Sequence, residues 1–266
     1  MRPITSRVSK KVLLYSKKAL GLLTLTLLLF SSSLILNHTA EAQQLACPSQ
    51  FIEQITDETS GDSRETSINA DGTRIAFRST ADINGGNPEG NQEIYLSDTT
   101  TGIISQITDE TAASSREPSI NADGTRIAFP STANLNGGNP EGNREIYLFD
   151  TTTGITTQIT DETAGGSRDP LINADGTRIA FASTADINGG NPEGNGEIYL
   201  FDTTTGIFTQ ITDETAGDSR GLSINGDGNR IAFRSDADIN EGNPEGNIEI
   251  YLFDTTTGIT TQITDE

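Results

Sequence analysis

The sequence has few of the residue types on which most enzymes and disulfide-bonded proteins depend. Its 266 residues include one cysteine, one methionine, one histidine and no tryptophan. A lone cysteine, Cys47, cannot form an internal disulfide, so the fold must be stable without one. Lysine does not occur after Lys18 and the histidine is His38, which removes the common general bases and activators of nucleophiles from the rest of the chain. We therefore expect no enzyme activity, and no Gly-x-Ser-x-Gly nucleophile elbow of a hydrolase.

The amino-terminal segment has the composition of an export signal. Residues 1–18 include six basic residues and no acidic one, and an apolar stretch follows over residues 19–36. Ala40 and Ala42 are small residues of the kind that signal peptidase accepts, which predicts a signal peptide, in part helical, over residues 1–42. An uncleaved membrane anchor is the alternative, because the stretch nearly reaches the roughly 20 residues that cross a bilayer. Either way, we expect the protein to be periplasmic or secreted.

The chain is strongly acidic once residues 1–42 are removed. That segment holds every lysine, and 11 arginines then face 37 Asp and Glu residues, a net charge of 11 − 37 = −26. A surface this negative repels phosphates and anionic lipid headgroups. We therefore expect no nucleic-acid binding, membrane contact only through an uncleaved amino-terminal segment, and a basic protein partner such as a basic envelope protein.

A repeat of 52 residues dominates the sequence. The pentapeptide Gln-Ile-Thr-Asp-Glu first appears at Gln54 and returns at a constant spacing of 52 residues. A period of this length is typical of propellers and solenoids. The predicted organisation is a linker with a first outer strand (43–53), four units (54–105, 106–157, 158–209 and 210–261) and the start of a fifth (262–266).

Each unit has the pattern of a four-stranded antiparallel meander. In the first unit, strands are predicted near residues 67–69, 74–79, 93–96 and 103–108, with turn residues between them. The two central strands are apolar on both faces, so both faces of every sheet must be covered. Meanders stacked face to face satisfy this requirement. The predicted fold class is therefore all-β, a β-propeller of four-stranded antiparallel blades.

Counting the outer strands raises the question of ring closure. A strand of the outer type is predicted at residues 51–56, before the first unit, in addition to one at residues 259–264 after the fourth. Five outer strands would then serve four inner triplets, and a ring closed by pairing its ends needs no spare strand. We therefore expect a frayed end, or a larger ring of which the chain is a fragment or which self-association completes.

The repeat resembles the TolB-type, WD-like propeller repeat. The resemblance rests on Asn-Ala-Asp-Gly-Thr-Arg-Ile-Ala-Phe at residues 69–77, Glu-Ile-Tyr-Leu at 93–96 and Thr-Gly at 101–102, and it spans all four units. Asn69 and Ala70 stand where the family usually has Ser-Pro. The resemblance implies an extracytoplasmic propeller that binds proteins or gates a peptidase. Since no separate domain precedes the repeats and no hydrolase domain is recognised, we expect neither the role of TolB itself nor peptidase activity.

Two acidic loops of each unit are predicted to lie at the same edge of the sheet. In the first unit they are residues 57–65 and 80–92. An arginine and an aspartate recur in register in these loops, and the arginine can serve as a structural clamp on loop carbonyls or on a carboxylate such as Asp57 across the blade seam. The candidate partner-binding residues are Arg64, Arg116, Arg168, Arg220, Asp57, Asp109, Asp161 and Asp213.

The longer loop also has a spacing close to that of a twelve-residue calcium loop. Oxygen-bearing side chains stand at positions 1, 3 and 12 of that loop, and calcium binds about 6 to 8 oxygens. Against calcium, the glycine expected at position 6 is Asn87, and the second unit has Asn134 in place of the leading aspartate. Tight turns alone would also explain the Asn, Gly and Pro residues. The predicted calcium ligands are Asp82, Asn84, Glu93, Asn136, Glu145, Asp186, Asn188, Glu197, Asp238, Asn240 and Glu249.

Two functions therefore remain open. The first is a non-catalytic protein-binding or scaffold module that acts through its acidic loops, and the second is a calcium-stabilised extracellular structural or adhesive repeat protein.

Thermal melts distinguish these two functions. If the loops bind calcium, the circular dichroism melt of residues 43–266 should shift to a markedly higher temperature with excess calcium than with chelator. The reason is that a ligand bound only by the folded state stabilises it. Identical cooperative melts in the two conditions would contradict calcium binding and leave the loops as turns.

Overall fold

The computed structural model describes residues 53–265. The predicted signal peptide and Cys47 lie outside these residues. Sixteen β-strands form four antiparallel sheets of four consecutive strands, which we call blades 1 to 4. Among the residues described, no helix is long and apolar enough to cross a membrane. The strands are β1 (Ser63–Ile68), β2 (Arg74–Ser79), β3 (Glu93–Asp98), β4 (Ile103–Gln106), β5 (Ser119–Ile120), β6 (Arg126–Ser131), β7 (Glu145–Asp150), β8 (Ile155–Gln158), β9 (Ser167–Ile172), β10 (Arg178–Ser183), β11 (Glu197–Asp202), β12 (Ile207–Gln210), β13 (Ser219–Ile224), β14 (Arg230–Ser235), β15 (Glu249–Asp254) and β16 (Ile259–Gln262).

Each blade is a meander whose turns are stabilised by side chains of the repeat. Between β3 and β4, Asp98 Oδ1 accepts the backbone N–H of Thr100 at 2.9 Å and of Thr101 at 3.0 Å. Gly102 closes this turn with a φ of +70°, a conformation that glycine adopts without steric cost. The same Asp-Thr-Thr-Thr-Gly sequence occurs in all four blades. The predicted all-β fold of four-stranded antiparallel blades is thus confirmed.

The hydrophobic core lies between successive blades. On the face of blade 1 that is turned to blade 2, Ala76 and Ile94 pack in one cluster with Ile127, Phe129 and Tyr147 of blade 2. Equivalent clusters join blade 2 to blade 3 and blade 3 to blade 4. The aromatic pair of each blade is stacked, with ring centroids 5.7 to 5.9 Å apart. Each sheet therefore buries its apolar faces by contact with its neighbours.

Hydrogen bonds also join neighbouring blades, at both ends of the strands. Arg74 Nη1 in blade 1 donates to the carbonyl of Gly124 at 2.8 Å and to Thr151 Oγ1 at 2.9 Å, both in blade 2. At the opposite end, the N–H of Ser115 in blade 2 donates to the carbonyl of Gln92 in blade 1 at 2.8 Å. The same bonds recur at the next two junctions. Directional bonds thus fix the relative position of successive blades.

The structure describes only part of the spare outer strand that was predicted at residues 51–56. Strand β16, Ile259–Gln262, is the outer strand of blade 4 itself. Within the part of the chain that the structure describes, residues 53–56 belong to no strand. Residues 51 and 52, the rest of the predicted spare strand, lie outside the described residues. Within residues 53–265, four outer strands serve four inner triplets, and each pairs with the third strand of its own blade.

Matched isoleucines test the packing between blades. Ile198 is fully buried between blades 3 and 4, whereas Ile207 on the outer strand of blade 3 is 60% exposed. We expect Ile198→Ala to lower the free energy of unfolding by about 2–5 kcal/mol, because it leaves a cavity in the core. Ile207→Ala should change that free energy by no more than about 0.5 kcal/mol. Urea denaturation measures both, and equal losses would contradict the packing described.

Candidate functional site

Two loops of each repeat meet at one end of the blade. In blade 1, the N–H of Asp62 donates to Thr80 Oγ1 at 2.9 Å, and the N–H of Thr80 donates to the carbonyl of Asp62 at 3.0 Å. These bonds connect the segment that leads into β1 with the long loop between β2 and β3. We call this surface, residues 57–62 and 80–92 with their repeats every 52 residues, the loop face. Its two loops are neighbours, as the meander pattern predicted.

The loop face carries a groove in blade 3 where carboxylates crowd together. Glu162 and Asp186 line this groove of about 520 Å³, together with Asn191 and Gly165. Burial raises the pKa of Glu162, and the negative charges of Asp186 and Asp161 raise it further. In blade 4, burial and the charges of Asp238 and Asp213 raise the pKa of Glu214 in the same way. Negative charges therefore surround both glutamates, and these carboxylates would attract a cation placed beside them.

Two of the four recurrent arginines, Arg64 and Arg220, pair with aspartates of their own blade. Arg64 Nη2 lies 2.8 Å from Asp62 Oδ2. Arg220 lies 3.2 Å from Asp218 and 3.8 Å from Asp236, all within blade 4. Of the carboxylates near Arg64, the one it contacts is Asp62, two residues before it, and not Asp57, which was given as an example of a partner. A structural role for these two arginines within their own blade is thus visible, whereas a role in partner binding stays a prediction.

The aspartates predicted beside them lie at the start of the connections between blades. Asp161 Oδ1 accepts a hydrogen bond from Gln158 Nε2 at 3.3 Å, and Asp213 Oδ1 accepts one from Gln210 at 3.3 Å. Asp57 is paired with Gln54 at 3.5 Å. The charge of Asp109 contributes to raising the pKa of Glu93. These aspartates add negative charge to the loop face rather than binding the recurrent arginines.

The first and third positions of the predicted calcium loops shape the loop itself. Asp82 Oδ1 accepts the backbone N–H of Asn87 at 2.8 Å, and Asn134 makes the equivalent bond in blade 2 at 2.8 Å. Asp186 and Asp238 repeat it at 2.7 Å. The third-position asparagines Asn84, Asn136 and Asn240 donate through Nδ2 to carbonyls of the outer strand, and Asn188, in blade 3, has a φ of +58°.

The glutamate at the twelfth position is buried at the start of the third strand of the blade. Glu93 is 1% exposed, and it accepts hydrogen bonds from the side chains of Asn91 and Thr108 and, at 3.2 Å, from the N–H of Glu110. Glu145, Glu197 and Glu249 are buried at the equivalent positions. Within residues 53–265, no group of three or more Asp, Glu, His or Cys side chains is arranged to hold a metal ion. Calcium binding stays a prediction for the thermal melts.

A second groove, which sequence analysis missed, follows the inner strands. Its volume is about 480 Å³, and Glu65, Glu117, Asp169 and Gly221 line it at equivalent positions of the four blades. All four have positive φ, between 48° and 62°, at an irregularity of the inner strand. Strained backbone of this kind costs about 1–3 kcal/mol at a residue with a side chain. The glycine at this position in blade 4 was the available signal, because glycine tolerates positive φ.

The carboxylates of this inner groove bind the next blade. The N–H of Glu117 donates to Glu65 Oε2 at 2.8 Å, and the N–H of Asp169 donates to Glu117 Oε2 at 3.3 Å. Arg78 Nε also lies 2.9 Å from Glu65 Oε2. Burial raises the pKa of Glu117, and the charge of Asp169 adds to this effect. These contacts give the inner carboxylates a structural part in the junctions between blades.

One sequence match to a hydrolase motif has a structural explanation. Residues 217–221 read Gly-Asp-Ser-Arg-Gly, so the expectation that Gly-x-Ser-x-Gly is missing was wrong as far as the letters go. Ser219 begins strand β13, is 2% exposed, and its Oγ lies 2.9 Å from Ser235 Oγ. The same serine pair occurs in the other three blades. A nucleophile elbow instead exposes its serine between a strand and a helix.

Solved structures with the same arrangement of blades are known. The chain is similar to the β-propeller domain of the Trilobed protease from Pyrococcus furiosus (TM-score 0.52, 16% identity, covering 79% of this chain and 59% of that one). It is also similar to an oligogalacturonate lyase in complex with manganese (TM-score 0.52, 18% identity, 77% and 53% covered) and to a prolyl endopeptidase (TM-score 0.54, 13% identity, 79% and 30% covered). The chain thus spans less than two thirds of each. No protein-family model and no curated protein sequence matches it. At these identities the likeness shows the fold, and the fold is a β-propeller.

The buried glutamates make stability depend on pH. Burial raises the pKa of Glu197 to about 7. The folded state therefore keeps a proton that the unfolded chain releases near pH 4.5, and the stability that this proton provides is lost as pH rises through about 7. We expect the melting temperature to fall between about pH 5 and about pH 8, and to fall less in Glu197→Gln, which needs no proton.

Asp202→Asn is the control for this prediction. The hydrogen bond of Thr204 lowers the pKa of Asp202 to about 2, so that its titration lies below the pH range used. In Asp202→Asn, the melting temperature should therefore fall between about pH 5 and about pH 8 by as much as in the wild type, whatever the effect of the substitution on overall stability. An equal fall in the wild type and in Glu197→Gln would contradict the prediction.

Proposed function

We propose that this β-propeller is an exported, non-catalytic binding module that holds a basic segment of another protein against its loop face. The observation that carries the proposal is the groove in blade 3, where Glu162 and Asp186 lie together and the pKa of Glu162 is raised. The resemblance of the repeats to the TolB-type propeller and the export signal in the sequence agree with an extracytoplasmic binding role.

Electrostatics favour a basic partner at this surface. A carboxylate whose pKa is raised by neighbouring negative charges is destabilised in its charged form, and a lysine or arginine side chain beside it removes that cost. The net charge of the full chain, with residues 1–42 included, is −21. A field of this sign also accelerates encounters with basic surfaces and repels acidic ones. Both the rate and the selectivity of binding would therefore follow from the charge of the loop face.

The repetition of the acidic groups suits an extended partner. Blade 3 places Glu162 near Asp186, and blade 4 places Glu214 near Asp238 at the equivalent point. A segment with several basic residues could engage two neighbouring blades at once, and linked contacts of this kind strengthen binding beyond either contact alone. The absence of lysine and histidine after residue 42 supports a role without catalysis.

Charge neutralisation at two edges of the blades tests the proposal. The test variant is Glu162→Gln with Asp186→Asn, and the matched control is Asp123→Asn with Asp175→Asn in the turns at the opposite end of the strands. Both double variants remove the same charge. Asn134 already accepts in blade 2 the N–H bond that Asp186 accepts in blade 3, so the test variant keeps its loop bonds. Asp123 and Asp175 each accept the N–H of a threonine at 2.9 Å, and asparagine retains that acceptor.

Isothermal titration of the full chain with lysozyme, used as a basic protein probe at low ionic strength, measures the effect. We expect the loop-face variant to bind roughly three- to tenfold more weakly than the wild type, and the control to bind within about a factor of two. Equal weakening in both variants would mean that binding depends only on the total charge of the chain. Unchanged binding in the loop-face variant would mean that Glu162 and Asp186 do not contact the probe. Either result contradicts the proposal.

A further inference from the structure

The junctions between blades are built from one set of residues that recurs every 52 positions. In the junction of blades 2 and 3, Ala128 and Ile146 on one side pack in a cluster with Ile172, Ile179 and Phe181 on the other. We call the first side the far face of a blade and the second side the near face of the next blade. The far face of blade 4 and the near face of blade 1 carry the same apolar residues, but no blade of this chain lies against either within the residues described.

The far face of blade 4 is open to solvent. Ile250 is 41% exposed, whereas its equivalents Ile94, Ile146 and Ile198 are completely buried. Ile248 beside it is 52% exposed. The residues at that position in the other repeats are Gln92, Arg144 and Gly196, so blade 4 is more apolar at this point than the other three blades. Repeat faces that remain exposed to solvent are normally polar, whereas the far face of blade 4 exposes two isoleucines.

The near face of blade 1 is open in the complementary way. Ile68 is 60% exposed, whereas its equivalents Ile120 and Ile172 are 7% and 8% exposed. Ile75 is half-buried, although the isoleucines at its position in the other three blades are fully buried. Blade 1 thus keeps the apolar side chains of a near face, and within residues 53–265 no other blade covers them.

Polar groups at the two ends match in the same register. The arginines that begin the second strand of blades 1 to 3 each donate to a glycine carbonyl and a threonine hydroxyl of the following blade. In blade 4 the equivalent Arg230 has no following blade and lies 3.0 Å from Asp254 of its own blade, with half of its side chain exposed. The equivalent acceptors on blade 1 are the carbonyl of Gly72 and Thr99 Oγ1. The backbone N–H of Ser115 donates to the carbonyl of Gln92 between blades 1 and 2. The equivalent donor on blade 1 is the N–H of Ser63, and the equivalent acceptor on blade 4 is the carbonyl of Ile248.

We propose that the far face of blade 4 docks on the near face of blade 1 of a second copy of this chain. The junction would repeat the three junctions within the chain, with Ile250 against Ile68 and Ile75, and with Arg230 reaching Thr99. A second copy is the occupant that this pattern favours, because both halves of the junction are already present on one chain in matching register. The contact is head-to-tail, and two such junctions close a dimer of eight blades.

Measuring the mass of the full chain in solution by sedimentation tests this proposal. We expect the wild type to sediment with twice the mass of one chain, and Ile250→Arg and Ile68→Arg each to lower that mass. A charged arginine cannot be buried in the apolar junction without a partner. Ile207→Arg is the matched control, since Ile207 is as exposed as Ile68 but lies on an outer strand; it should leave the mass unchanged. Circular dichroism shows that each variant remains folded.

Mixing the two variants separates head-to-tail docking from other modes of association. Ile68→Arg retains an intact far face and Ile250→Arg retains an intact near face, so an equal mixture should recover a two-chain complex through one junction. A chain carrying both substitutions should not recover. A wild type that stays monomeric up to on the order of 100 µM would overturn the proposal and leave another protein or further blades as the cover of these faces. An oligomer unaffected by both substitutions, or variants that fail to pair when mixed, would overturn it as well.

Discussion

Contact between the apolar faces of successive sheets is the interaction on which the rest of this structure depends. Each sheet carries isoleucine and alanine on one face and phenylalanine, tyrosine and isoleucine on the other, so a single blade would expose both faces to water. At about 25 cal/mol per Å² of apolar surface, burying these faces is the main term that favours the folded chain. Stability therefore comes from junctions rather than from individual blades, as expected of a repeat protein.

Buried polar side chains hold the loops in shape at one end of the packed sheets. Glu93 and its repeats bind the threonine and the backbone that begin the next connection, and Asp82 and its repeats hold the long loop in shape. Glu162 lies beside the groove in blade 3, next to Asp186, whose Oδ1 is one of these loop-shaping acceptors. Loop-shaping carboxylates and candidate binding carboxylates thus lie in the same loops, and Asp186 belongs to both groups.

Much of the fold follows from local sequence signals. The 52-residue period, the Asp-Thr-Thr-Thr-Gly turns and the two-sided apolar strands are enough to predict four-stranded antiparallel blades stacked face to face. The outer strand near residues 103–108 was also predicted within its own repeat, and the structure places β4 there. By contrast, Glu93 was grouped with Asp82 by spacing, although the partners that decide its direction, Thr108 and Glu110, come from the following connection. The inner groove depends on a local irregularity at Glu65 that the strand pattern conceals.

A double-mutant cycle on Ile146 and Phe181 tests the face-to-face packing most directly. The two residues lie on different blades and belong to one buried cluster. If the faces pack as described, the losses in free energy of unfolding caused by Ile146→Ala and Phe181→Ala should be coupled by about 1 kcal/mol or more, because each substitution removes part of the other's contact. Strictly additive losses would mean that the two faces do not support each other, and would contradict the stacking of blades.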